Sequence, residues 1–135
     1  MMIKSNHLFF TSFFSDFMVK SFLEVKFMRY NVVKNANKII DSSSYLIKNP
    51  ESYKGKWKDV FSNNNPICLE LGMGRGSFII EMAKKHPNIN YIGLELDSSQ
   101  TATAINNIKN QKISNLRMIC ADARNIINYF GKEID

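Results

Sequence analysis

Three glycines at alternate positions, Gly72, Gly74 and Gly76, separate the apolar run Ile67-Cys68-Leu69-Glu70-Leu71 from a stretch, Ser77 to His86, that reads as an amphipathic helix. A short apolar run ending in glycines has the pattern of a buried strand, and glycine lets the chain turn sharply into the next element. Phe78, Ile79, Met82 and Ala83 are the expected inward face of that helix, and Pro87 closes it. The alternation then continues. Asn90 to Leu96 reads as a second strand, and Asp97-Ser98-Ser99-Gln100 as a capping pattern for a helix running to about Lys109. Leu116 to Ala121 reads as a third strand, and Asp122 to Phe130 as a turn and short helix ended by Gly131. Strands alternating with helices predict an α/β fold, here one half of a doubly wound parallel sheet with about three strands.

The glycine turn is also the place where a ligand is expected, because backbone and helix N–H groups are accessible there. The spacing discriminates between ligands. A dinucleotide site wants G-x-G-x-x-G, and the third glycine place, counted from Gly72 and Gly74, holds Ser77. An acid, Glu70, stands two residues before Gly72 and would repel a pyrophosphate. It suits a ligand carrying positive charge and no phosphate, such as S-adenosylmethionine. Glu95 ends the second strand, where a carboxylate can take both ribose hydroxyls, and Asp122 ends the third, where an acid can accept from an adenine amino group. Each acid alone is also what an exposed strand end would carry, and the turn alone would serve as a plain strand-to-helix connection. Together, Glu70, Gly72, Gly74, Glu95 and Asp122 are the predicted cofactor-binding residues, with S-adenosyl-L-methionine as the cofactor.

Four segments carry a more specific resemblance. YKGKW, LELGMGRG, INYIGLEL and NLRMICADAR are similar, in order and spacing, to segments of the bacterial tRNA (guanine-N7)-methyltransferases. The resemblance runs from Met28 to Asp135. It implies a Rossmann-like class I methyltransferase fold, and methyl transfer to N7 of the variable-loop guanine of tRNA, position 46. It implies a tRNA partner and contacts from Glu70, Glu95 and Asp122 to the cofactor. Guanine N7 offers a lone pair, so the chemistry asks for neither a general base nor a covalent nucleophile, and positioning carries most of it. No catalytic residue is accordingly expected in this chain.

What the chain lacks narrows the reading further. Its two cysteines sit in no metal-ligand spacing and its histidines, His7 and His86, are far apart, so no metal site is expected. Cys68 and Cys120 read as buried reduced thiols, and His86 as a capping or surface residue. Residues 8–25 are rich in phenylalanine, but Asp16, Lys20 and Glu24 interrupt them, which fits neither a signal peptide nor a membrane span. An amphipathic helix is one reading. Residues 1–27 as an extension with no function of its own is the preferred one, and the resemblance agrees, since that family's chains begin near Met28. A cytoplasmic location follows as an expectation.

Residues 28–65 form a basic lead-in ahead of the domain at 66–135. Residues 1–65 hold ten Lys/Arg against five Asp/Glu, which suits a polyanionic partner such as RNA, though an ordinary lysine-rich surface has the same balance. Asp41 and Ser42–Ser44 suggest the cap of a short helix bearing Tyr45, Leu46 and Ile47. Lys54, Lys56 and Lys58 interleave with Tyr53 and Trp57, which can serve RNA stacking. Spacing alone favours a surface helix anchored by Trp57, Val60 and Phe61.

The family's Asp-Pro-Trp motif, which follows its fourth strand and places the guanine, has no match here. The chain is therefore expected to be the cofactor-binding front half of the enzyme, inactive on tRNA by itself. Its first strand is expected to have one open edge, with poor solubility as the consequence. An inactive fragment or an RNA-binding accessory module remains the alternative.

Overall fold

The computed structural model describes Met2–Ile3 and residues 33–135, so the readings made of residues 8–25 lie outside the described residues. One sheet runs in the order β1 (Met2–Ile3), β2 (Ile67–Leu71), β3 (Asn90–Glu95), β4 (Leu116–Cys120). The last three strands are parallel, with Ile67 opposite Asn90 and Tyr91 opposite Leu116. Their carboxyl ends therefore share one rim, as the apolar runs implied.

Both faces of these strands are covered, which is why the runs are apolar without alternation. On one face Cys68, Tyr91 and Met118 pack under α1 (Ala36–Ser42), α3 (Ser77–Lys85) and α4 (Ser98–Ile108). On the other, Ile67, Leu69, Ile92, Leu94 and Ile119 pack under α2 (Trp57–Phe61) and α5 (Ile126–Tyr129). Asp97 caps α4 as read from sequence, its Oδ1 accepting from the Ser99 and Gln100 N–H groups. The buried residues of α3 are Ile79, Ile80 and Ala83, so Ile80 replaces Phe78 on the inward face expected.

Trp57 is fully buried. Its indole N–H donates to the Tyr129 carbonyl at 2.7 Å, and its ring stacks on Phe130 at 5.0 Å between centroids. The anchoring role of Trp57 and Phe61 is what the structure shows, and a buried ring has no face to offer a base. The lead-in thus supplies one helix to each layer over the sheet, α1 to one and α2 to the other.

The helix expected to start after Asp41 instead runs through it, over Ala36–Ser42. It ends at Ser42, and Tyr45–Ile47 run extended beside β4. The Met118 N–H donates to the Tyr45 carbonyl (2.8 Å), and the Ile47 N–H to the Met118 carbonyl (2.9 Å). Three successive serines disfavour a helix interior, and the outer backbone of β4 needs partners. The other sheet edge differs from expectation too. β1 pairs antiparallel with Leu69 and Glu70, while the Asp135 N–H donates to the Ile67 carbonyl at 2.9 Å. The β2 edge predicted to be open is occupied at both ends.

Candidate functional site

The turn after β2 is stitched to β3: the Gly72 and Met73 N–H groups both donate to the Leu94 carbonyl, at 2.8 and 3.2 Å. Gly72 and Gly74 have φ of 69° and 56°, a region that favours glycine, and a side-chain carbon at either would meet nothing within 4 Å. Glycine here serves the turn and leaves open space before it. Met73 points the other way, into the core, and its sulfur lies directly over Gly93, where a Cβ would collide with it.

Glu70 stands level with Gly93 on the neighbouring strand, two residues below Glu95. Adjacent parallel positions share a face, so Glu70 and Glu95 are on the same side of the sheet. Glu70 is 8% exposed, and its Oε2 has no hydrogen-bond partner among the described residues. Burial pushes its carboxyl up to about 7; the Ile79 backbone N–H pulls down and the Glu95 carboxylate adds to the rise. An unpartnered buried carboxyl oxygen is costly, and its cost is relieved by a cation.

Glu95 is half-buried at the rim. Its Oε2 accepts from the Gly74 N–H at 2.9 Å and its Oε1 from the Asp97 N–H at 3.0 Å. Each oxygen keeps a further lone pair. Leu96, the next residue, is 65% exposed, an apolar side chain left in solvent beside the acid. Asp122 follows β4 and caps the turn Ala123–Asn125; hydrogen bonds from the Arg124 side chain and backbone hold its carboxyl below the usual carboxylate range. The structure therefore brings Glu70, Gly72, Gly74 and Glu95 into one cluster and places Asp122 on the same rim. Sequence reasoning missed Leu96 and Arg124. An apolar residue directly after a strand-end acid was the available signal for the first.

Cys68 is buried, but Cys120 is half-exposed, with its Sγ 3.8 Å from the Leu96 carbonyl; burial still raises its thiol. His86 is exposed where α3 ends. Among the described residues no group of three His, Cys, Asp or Glu could hold a metal ion, and no helix is long and apolar enough to cross a membrane.

A family model described as "Putative methyltransferase" matches residues 64–134. The tRNA (guanine-N(7)-)-methyltransferase of Geobacillus sp. (strain WCH70) is 43% identical over 95 residues, 70% of this chain and 43% of that protein. Those of Streptococcus agalactiae serotype III (strain NEM316) and Bacillus subtilis (strain 168) are 38% and 42% identical. They cover 80% and 68% of this chain, with 52% and 43% of their own lengths matched. The chain spans about half the length of the curated relatives it matches. The plantazolicin methyltransferase BamL aligns at a TM-score of 0.42 and 21% identity, over 80% of this chain and 36% of its own, too slight a likeness to build on.

Proposed function

The chain belongs to the family described as "Putative methyltransferase", and from that premise we propose that it is the cofactor-binding half of an S-adenosylmethionine-dependent tRNA guanine-N7 methyltransferase, acting at the variable-loop guanine, position 46. The observation that carries the reading is Glu70: a nearly buried carboxyl with an unpartnered oxygen, behind a glycine turn and beside a second acid.

The side chains at the rim fit such a ligand. Glu70 offers its bare oxygen to positive charge. Glu95, fixed by Gly74 and Asp97, offers its remaining lone pairs to the ribose diol. Asp122 accepts from the adenine amino group, and Leu96 covers the base with apolar surface. When bound, S-adenosylmethionine supplies the electrophilic methyl group. The chain's own task is to hold and orient, since N7 attack needs no proton removed.

The names of the relatives and the basic lead-in favour tRNA as the partner. Exposed Lys54 donates from Nζ to the Ile127 carbonyl at 2.6 Å, which ties that lead-in to the segment following Asp122. The setting of this chemistry is the cytoplasm, where tRNA is found. Equilibrium dialysis with methyl-labelled adenosylmethionine tests the reading. Retention that S-adenosylhomocysteine competes away, and a nicotinamide dinucleotide does not, is expected. The same chain mixed with tRNA is expected to transfer no label by itself. Competition by the dinucleotide alone would assign the site to a dehydrogenase.

A further inference from the structure

Asp122 accepts from three N–H groups, all of one residue, with the single Nε hydrogen shared between its two oxygens. Its Oδ1 accepts from the Arg124 backbone N–H (2.9 Å) and Nε (3.1 Å), and its Oδ2 from Nε (2.8 Å) and Nη2 (2.5 Å). A carboxylate has about four lone-pair sites. In this arrangement Arg124 engages both oxygens of Asp122 and leaves about one lone-pair site for a ligand.

The two partners are unequally free to move. The Asp122 side chain is 23% exposed and pinned as the cap of its turn, whereas the Arg124 side chain is 88% exposed. An ion pair so exposed is weak and screened by salt. A donor arriving from a ligand therefore competes with a mobile guanidinium for a carboxylate that stays in place.

We propose that Arg124 is a latch on the adenine subsite: it occupies Asp122 while the site is free of cofactor, and gives way when the 6-amino group of the base takes the carboxylate. The proposal rests on the reading of Asp122 as the adenine acceptor. Arg124 acts here through Asp122, as a positioning residue. It sets the threshold that a purine lacking the amino donor gains nothing by crossing.

The test is calorimetric titration of the full chain and of Arg124→Gln with S-adenosylhomocysteine and with its analogue lacking the 6-amino group. Arg124→Gln is expected to bind S-adenosylhomocysteine about two- to fivefold tighter at low salt, the range an exposed pair contributes. Raising the ionic strength to about 1 M should bring the parent chain to the variant's affinity, because the Debye length falls to roughly 3 Å. The deaminated analogue should bind both proteins alike. Equal or weaker binding of S-adenosylhomocysteine by Arg124→Gln overturns the latch and leaves the cofactor reading standing. An equal gain for the analogue also overturns it. Absence of binding by both proteins, each shown folded by circular dichroism, overturns the cofactor reading and the latch with it.

Discussion

The backbone N–H of Gly74 donates to Oε2 of Glu95 at 2.9 Å, joining the turn after β2 to the end of β3 across 21 residues of chain. The turn is thus held by the same carboxylate that the ribose is proposed to use. Loss of Glu95 should therefore act twice, on the shape of the turn and on the ligand. Glu95→Ala is expected to weaken S-adenosylhomocysteine binding by roughly ten- to a hundredfold, the scale of a charged hydrogen bond. Titration calorimetry measures it. Unchanged affinity would remove Glu95 from the site.

Glu70 makes stability depend on pH in a specific direction. Below about 4.5 its carboxyl is protonated in the folded and unfolded chain alike, and burial exacts no ionisation penalty. Between about 4.5 and about 7 only the unfolded chain ionises, so stability falls as pH rises. Above about 7 the loss is complete, up to about 3 kcal/mol. Glu70→Gln should therefore gain stability over the parent at pH 8 and show no gain at pH 4, by urea denaturation. A cationic ligand favours the ionised carboxyl, so parent affinity should rise as pH passes 7, and the variant's should not.

Met73 and Gly93 fit only as a pair. Gly93→Ala drives a methyl group into the Met73 sulfur, and should cost roughly 1–3 kcal/mol, as overpacking does. Shortening Met73 to Ala in the same chain should recover part of that loss. Additive effects in the double-mutant cycle would contradict the contact.

Trp57 separates the two readings of the lysine-rich segment. As a fully buried ring against Phe130 and Tyr129, its replacement by Ala should cost about 3–5 kcal/mol. Circular dichroism is the appropriate probe, since Trp57 is the sole tryptophan. A variant of parental stability with weakened tRNA binding would restore the stacking reading.

The central strands were legible because each is a continuous apolar run closed by a glycine or an acid, a pattern that only a sheet covered on both faces accommodates. The strand-end acids were legible for the same reason: a parallel sheet puts Glu95 and Asp122, two residues past Cys120, on one rim. Glu70 inside an apolar run announced its own burial, though not the orphaned oxygen. The course of Tyr45–Ile47 was not legible, because its partner, Met118, lies some 70 residues away and nothing local encodes the pairing. The packing of Trp57 over the second face was hidden similarly, since its partner Tyr129 lies 72 residues away in sequence. The embrace of Asp122 by Arg124 is short in sequence, but it depends on a side-chain conformation that spacing does not specify.

The measurement that bears most directly on the cofactor site is titration of the full 135-residue chain with S-adenosylhomocysteine at pH 8, with Glu95→Ala as control. One-to-one binding by the parent, lost or sharply weakened in the control, is the predicted result. A folded parent chain that takes up no ligand would contradict the assignment.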